Sequence, residues 1–206
     1  MVSSLGGTPA SAKGINNKPH QFTLLTPSTG RIPSAGFVEL RMSITYESAM
    51  DVEKNRSCYD THAELFYEAV HCDGSWVGPR LLAEQVALRL HNNSDGQSTI
   101  LDFGAGTGLL GPALAQHNIA ATIEAADLSK DMLDVAQKTS DDIYTNFHIG
   151  LLNENFTLKN NYYDAVVSSG VIGTHVGFGC VEEIMPSVKR GGFIAFTIEG
   201  ILEGGE

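Results

Sequence analysis

The feature that most constrains this fold is a short apolar run that ends in an acid and opens into three alternating glycines. Residues 100–103 read Ile-Leu-Asp-Phe, and Gly104, Gly106 and Gly108 follow them. Because glycine lacks a Cβ and tolerates left-handed backbone, such a loop lets a ligand lie against the main chain. A strand that runs through a glycine loop into a helix is typical of the first ligand-binding turn of a doubly wound sheet. We therefore expect a ligand site at this turn.

Beyond this turn, short apolar runs alternate with stretches at helical spacing, which is the pattern of a parallel sheet with helical crossovers. We predict an α/β fold with a Rossmann-like, doubly wound, mostly parallel sheet and right-handed crossovers. Ser129 is expected to cap one helix. The predicted strands are residues 99–103, 122–126, 146–149, 165–169 and 193–198, and the predicted helices are residues 49–69, 79–90, 109–116, 130–139 and 180–188.

The N-terminal 45 residues differ from the rest in composition. They are rich in Ser, Thr, Gly and Pro and show no sustained apolar period. We predict a disordered tail over residues 1–45 and one domain over residues 46–206. No run approaches the ~18 apolar residues of a membrane span, and no secretory signal is apparent, so we expect a cytoplasmic protein with no membrane partner. A mitochondrial transit peptide is the weaker alternative, because the segment shows no amphipathic Arg-rich helix.

Charge and cysteine content narrow the function classes. The net charge of -11 opposes binding to a phosphate backbone, so no nucleic-acid partner is expected unless another protein supplies a basic surface. The three cysteines lie far apart, and neither they nor the seven histidines show metal-ligand or redox spacing. We therefore expect no metal.

An acid follows the second predicted strand and admits two interpretations. Residues 106–111 form a G-x-G-x-x-G pattern with Asp127 twenty-one residues after Gly106, which matches a dinucleotide fingerprint. Three other details are not expected of an NAD site: Asp102 itself, helical segments before the first strand, and the sequence Asp-Leu-Ser-Lys-Asp-Met-Leu at residues 127–133.

Together these motifs resemble those of class I S-adenosylmethionine-dependent methyltransferases, over residues from about 59 to 199. The resemblance rests on Leu-Asp-x-Gly-x-Gly-x-Gly at residues 101–108, followed by Asp-Leu-Ser-x-x-Met-Leu at residues 127–133. Within that family the chain is most similar to the Williams-Beuren-region methyltransferase-like proteins.

The resemblance implies S-adenosyl-L-methionine as cofactor and gives roles to individual residues. Asp102 would organise the glycine loop near the methionine ammonium, and Asp127 would accept hydrogen bonds from the ribose hydroxyls. The chain lacks the acid that often faces the adenine amine after the third strand, so apolar and backbone contacts would hold the ring. The implied cofactor-binding residues are Asp102, Gly104, Ala105, Gly106, Gly108, Asp127, Leu128, Met132, Gly150, Leu151 and Ser168.

The loop after the fourth strand is the expected acceptor side. His175 is the candidate catalytic base for an acceptor that must lose a proton, although a single histidine is also compatible with an ordinary half-buried position. Residues 168–175 lack the Asn/Asp-Pro-Pro-aromatic signature that resembles the motif of enzymes methylating amide or base nitrogens. A small molecule or a protein side chain is therefore the expected methyl acceptor.

The resemblance also implies a further helix and a final antiparallel hairpin, whereas the sequence stops shortly after the fifth predicted strand. We expect a sheet that lacks this hairpin and whose edge is covered by a partner or by oligomerisation. An inactive cofactor-binding module remains an alternative to an active enzyme, and an NAD-dependent oxidoreductase is a distant third.

Overall fold

Six strands and five α-helices make up the part of the chain that the computed structural model describes, which is residues 21–25, 52–73, 76–93, 96–173 and 175–198. The strands are β1 (Gln21–Leu25), β2 (Ser98–Phe103), β3 (Ala121–Asp127), β4 (Tyr144–Ile149), β5 (Tyr163–Ser168) and β6 (Val188–Ile198). The helices are α1 (Val52–Asp73), α2 (Gly78–Asn93), α3 (Leu110–Ala115), α4 (Lys130–Thr139) and α5 (Cys180–Ile184), and a 3-10 turn (Met185–Ser187) follows α5.

The strands form one sheet in the order β1-β6-β5-β2-β3-β4. The five strands β2 to β6 run parallel, and β1 pairs antiparallel with β6. The prediction of an α/β, doubly wound, mostly parallel sheet is therefore confirmed. The order reverses direction after β2, because β3 and β4 lie on one side of it and β5 and β6 on the other. In such sheets a crevice forms at the carboxyl ends of the strands next to the reversal.

β1 corrects two expectations. The prediction of a disordered tail over residues 1–45 is wrong for residues 21–25, which pair with residues 194–198 of β6, and the remainder of that tail lies outside the described residues. The outer edge of β6 is likewise not left unpaired along these five residues. Strand pairing is made by backbone N–H and C=O groups, so this segment needs no alternation of apolar side chains to add to an exposed edge.

The two faces of the sheet carry separate hydrophobic clusters. Ile100 and Ala165 face one side, where buried side chains of α2, α3 and α4 cover them. Leu101 and Val166, one residue further along each strand, face the other side, where α5 covers them. Because successive strand residues point to opposite faces, the apolar runs of β2 and β5 are buried on both sides.

Helix α1 lies across α4 and extends over the carboxyl edge of the sheet. Ala63 of α1 is buried against Met132 and Val135 of α4. Ser129 caps α4 as predicted: its hydroxyl accepts from the Met132 amide at 3.1 Å and donates to Asp60 of α1 at 2.5 Å. One cap residue therefore both begins α4 and holds α1 in place. Among the described helices, none is long and apolar enough to cross a membrane.

Candidate functional site

A cavity opens at the carboxyl ends of β5, β2, β3 and β4, beneath α1 and the segment before α2. The loops that follow these four strands supply most of its wall. It brings together all the predicted site residues except Gly108 and Ser168. The predicted residues that line it are Asp102, Gly104, Ala105, Gly106, Asp127, Leu128, Met132, Gly150, Leu151 and His175.

The glycine loop after β2 needs glycine at two positions for different reasons. Gly104 has φ +74°, and a Cβ there would stand 2.4 Å from a methyl group of Val171, so the loop after β5 could not approach. Gly106 has φ +54°, and a Cβ there would meet no atom within 4 Å. Backbone strain alone therefore favours glycine at 106, and the space beside it is open.

Asp127 ties the glycine loop to the end of β3. One carboxylate oxygen accepts from the Gly106 amide at 2.8 Å and the other from the Ser129 amide at 2.9 Å. Burial raises the pKa of Asp127, and backbone hydrogen bonds from Ser129, Gly106 and Leu128 oppose that rise. A carboxylate can accept about four hydrogen bonds, so these amides leave acceptor capacity at the cavity wall. A ligand hydroxyl group could use that capacity.

Asp102 is more deeply buried and is held by a residue that the sequence reasoning did not single out. Its side chain accepts from the Tyr144 hydroxyl at 2.7 Å, and that hydroxyl in turn accepts from the Gly111 amide at 2.9 Å. Burial raises the pKa of Asp102 to about 7; the Asp127 charge also raises it, whereas the Tyr144 hydrogen bond lowers it. Tyr144 carries no sequence signal for this contact, because it stands 42 residues from its partner.

The predicted adenine-side residues lie together at the far end of the cavity. The Gly150 amide donates to the Asp127 carbonyl at 2.9 Å, which joins the loop after β4 to the end of β3. Gly150 has φ +104°, and a Cβ there would collide with Asn155 at 2.4 Å. Leu128, Met132 and Leu151 complete this apolar surface. Met132 is also part of the cluster between α1 and α4, so packing alone accounts for part of its burial.

Two predicted residues do not line the cavity. Gly108 faces inward, where a Cβ would stand 2.9 Å from Ala136, so its role is close packing of the loop on α4. Ser168 is fully buried in β5, and its neighbour Ser169 lines the cavity instead. The prediction that Gly108 and Ser168 bind the cofactor therefore has no support from the lining of this cavity.

Thr107 is a site residue that the sequence reasoning missed. It lines the cavity, is 2% exposed, and its hydroxyl has no hydrogen-bond partner among the described residues. Leaving a buried hydroxyl unpaired costs free energy, so an unpaired one in a cavity wall suits a polar ligand. The variable positions between motif glycines gave no signal that could have identified it.

His175 lies on the wall formed by the loop after β5. Its Nε2 is 3.0 Å from the Tyr59 hydroxyl of α1, and the two rings meet edge to face at 5.5 Å. Burial lowers the pKa of the His175 imidazole, so the ring is neutral near pH 7 and can accept a proton. Tyr59 and His175 are 116 residues apart in sequence, and the fold brings them together at the cavity.

Comparison with known families shows what the residues around this cavity are similar to. Residues 100–192 match the model of a family described as a methyltransferase domain. The matched stretch runs from β2 into β6 and contains the glycine loop, Asp127 and His175. Over this stretch the chain is similar to a methyltransferase domain. Helices α1 and α2, which precede the matched stretch, complete the fold around it.

Curated relatives are similar to the chain over less than half of its length. It is 30% identical over 99 residues to the release factor glutamine methyltransferase of Bacillus subtilis (strain 168), over 44% of this chain and 34% of that protein. It is 33% identical over 87 residues to the enzyme of the same name from Streptococcus pneumoniae (strain ATCC BAA-255 / R6), over 42% and 30%. The chain thus spans about a third of the length of these relatives.

Solved structures share the fold. A TehB-like methyltransferase from Corynebacterium glutamicum superposes with a TM-score of 0.52 at 16% identity, covering 69% of this chain and 77% of that one. DhpI in complex with SAH superposes with a TM-score of 0.50 at 21% identity, covering 70% and 67%. Because both structures are less than 25% identical to this chain, the similarity shows a shared arrangement of strands and helices only.

Proposed function

We propose that the methyltransferase domain binds S-adenosyl-L-methionine and transfers its methyl group to a small-molecule or protein acceptor. The observation that carries this proposal is the Asp127 carboxylate, which holds the Gly106 amide at 2.8 Å and retains free acceptor positions beside an open glycine loop. This arrangement fits a ribose diol on one side and a ligand lying against the main chain on the other.

Three groups of residues would hold the cofactor. Asp127 accepts from the ribose hydroxyls, as the family resemblance implies. The backbone of residues 104–106 and the Thr107 hydroxyl, which has no partner among the described residues, line the cavity and would contact the methionine portion, with Asp102 holding the loop beneath it. Leu128, Met132, Gly150 and Leu151 form the apolar surface for adenine.

When bound, S-adenosylmethionine supplies a methyl group on a sulfonium, which leaves as the neutral thioether. The protein therefore contributes alignment, exclusion of water and proton transfer, with no side-chain nucleophile. His175 takes the proton that the acceptor loses. In the tautomer in which Nε2–H donates to the Tyr59 oxygen, Nδ1 keeps the lone pair that accepts this proton, so Tyr59 acts as a positioning residue.

The relatives' glutamine acceptor is not carried over to this chain. Residues 168–175 read Ser-Ser-Gly-Val-Ile-Gly-Thr-His and lack the Asn/Asp-Pro-Pro-aromatic signature associated above with amide nitrogens. The finer resemblance to methyltransferase-like protein 27 of the Williams-Beuren region rests on the motifs at residues 101–108 and 127–133. We also propose that the functional domain covers residues 46–206, since α1 and the segment before α2 supply cavity wall outside residues 100–192.

The test is transfer of tritiated methyl groups from S-adenosylmethionine to cell extract separated into small-molecule and protein fractions. We expect label in one fraction with the native chain, retention of that label with Asp131→Ala, and its loss with Asp127→Ala. Asp131 is a matched control because it lies exposed in the first turn of α4, four residues away. Absence of label in both fractions from a chain that binds the cofactor would instead support an inactive binding module.

A further inference from the structure

The end of the cavity next to β5 differs in composition from the rest, and we call it the β5 end. Its wall includes Tyr59, Phe66, Trp76, Val171 and His175, together with uncharged residues of the loop after β5. The rings form a continuous series of edge contacts: Trp76 to Phe66 at 6.4 Å, Phe66 to Tyr59 at 6.0 Å, and Tyr59 to His175 at 5.5 Å. Edge-to-face contacts at these distances hold rings in defined orientations.

The Trp76 side chain packs closely against the loop after β5. A Cβ on Gly170 would stand 2.4 Å from the Trp76 ring, and one on Gly78 would stand 2.8 Å from the indole nitrogen. Both glycines therefore leave room for the indole at close range. Because Gly170 also has φ +75°, the loop conformation and the ring position depend on each other. The aromatic wall is thus a fixed surface.

The carboxylates of the cavity come from other strands than the loop that carries His175. They are Asp102 and Asp127, which stand at the ends of β2 and β3, whereas the loop bearing His175 follows β5. Every described residue that lines the β5 end is uncharged at neutral pH, since His175 is neutral there. Moving an unpaired charge into such surroundings is unfavourable, whereas a neutral apolar ring gains from burial and from ring contacts.

We propose that the β5 end selects a neutral, aromatic or largely apolar small molecule as methyl acceptor, with one O–H or N–H group placed at His175. This inference rests on the proposed methyltransferase function and specifies its substrate class. In the step itself the acceptor's proton passes to the His175 imidazole, and a bond forms between the acceptor heteroatom and the methyl carbon. The carbon–sulfur bond breaks with its electron pair passing to sulfur, and the imidazolium later releases the proton to water.

The intrinsic fluorescence of Trp76 can report binding at the β5 end, because Trp76 is the single tryptophan of the chain. We would titrate the protein, saturated with S-adenosylhomocysteine, with three probes of the same ring and shape: 4-methylphenol, 4-methylbenzoate and 4-methylbenzylamine. They are neutral, anionic and cationic at pH 7. We expect saturable change of Trp76 emission with 4-methylphenol, and binding of both charged probes at least about tenfold weaker.

A matched pair of variants locates the binding. Phe66→Ala removes a ring of α1 from the wall, whereas Phe178→Ala removes an exposed ring of the β5–α5 connection that does not line the cavity. We expect the first to weaken 4-methylphenol binding several-fold and the second to leave it unchanged, with S-adenosylhomocysteine affinity retained in both as the check of folding.

The binding results distinguish an error in the proposed acceptor class from an error in the proposed function. Equal or tighter binding of the benzoate or the benzylamine would overturn the proposed acceptor class, and so would failure of all three probes to bind a protein that binds S-adenosylhomocysteine. Failure of S-adenosylhomocysteine itself to bind a folded chain would overturn the proposed function, and with it this inference. The two failures are therefore distinguishable in one experiment.

Discussion

The two ends of the cavity are built by different means. At the glycine-loop end, which comprises residues 102–109, 127–132 and 150–152, carboxylates and backbone amides hold the loops to one another. At the β5 end, ring contacts join α1 and the segment before α2 to the loop after β5. The first end fixes hydrogen-bonding groups for one polar ligand, and the second offers shape and apolar surface. Substitutions at the two ends should therefore separate cofactor affinity from turnover.

The largest effect is expected at the β5 end. His175→Ala removes the proposed proton acceptor, and kcat on an identified acceptor should fall by about 10²–10⁴-fold, because general-base catalysis typically contributes that much. Affinity for S-adenosylmethionine should stay within about twofold, since His175 lies outside the glycine-loop end. Steady-state kinetics with calorimetry checks both values, and His62→Ala on an exposed position of α1 is the control. Full turnover by His175→Ala would end the general-base assignment.

A smaller effect, on cofactor affinity in place of turnover, is expected at the glycine-loop end. Asp127→Ala removes the acceptor of the Gly106 amide and of the proposed ribose hydrogen bonds. Losing a hydrogen bond to a charged group costs about 1.5–3 kcal/mol, so S-adenosylmethionine affinity should fall by on the order of ten- to hundredfold. Binding calorimetry measures this, with Asp131→Ala expected to match the native chain. An affinity unchanged within about twofold for Asp127→Ala would show that the ribose assignment is wrong.

Asp102 should make stability depend on pH. Its folded pKa of about 7 lies above that of an unfolded aspartate, near 4, so the folded chain binds the extra proton between these values. The contribution of Asp102 to the free energy of unfolding therefore falls as pH rises through this window and is level above it. Asp102→Asn removes this titration and keeps an oxygen that can accept from Tyr144.

The check is urea unfolding of the native chain and Asp102→Asn at pH 5 and pH 8 without ligand. The stability difference between the two proteins should shift in favour of the variant at pH 8. A difference that is the same at both pH values would mean that Asp102 does not titrate in this window. Because the comparison is between variants, other groups that titrate in both proteins cancel.

The smallest effect is expected at Thr107. Thr107→Val replaces a buried hydroxyl that has no partner among the described residues by a methyl group of similar size. Stability without ligand should not fall, whereas S-adenosylmethionine affinity should drop by about two- to tenfold if the hydroxyl bonds the cofactor. Thermal unfolding and calorimetry measure the two quantities. A loss of stability with affinity retained would assign Thr107 to packing.

The sequence predicted the parts of the fold that rest on local signals. The glycines at 104, 106 and 108 mark a turn by their own backbone freedom, and Ser129 caps α4 three residues from its partner amide. The inner parallel strands β2 and β5 were recoverable because they are buried on both faces and contain continuous apolar runs.

Contacts between distant segments could not be predicted in this way. Tyr144 reaches Asp102 and Tyr59 reaches His175 only once the sheet and α1 are assembled. β1 was missed for a different reason: its five residues are too few to show a sustained apolar period, and it joins the sheet through backbone pairing with β6. The glycine-loop end was therefore largely recoverable from the sequence, whereas at the β5 end His175 was predicted but its ring contacts were not.

The central claim is that the glycine-loop end is built for S-adenosylmethionine, and calorimetric titration tests it most directly. The purified chain would be titrated in parallel with S-adenosylmethionine, S-adenosylhomocysteine and NAD. We predict that the first two bind at one site and that NAD does not. Binding of NAD alone, or no binding of any of the three by a folded chain, would contradict the account.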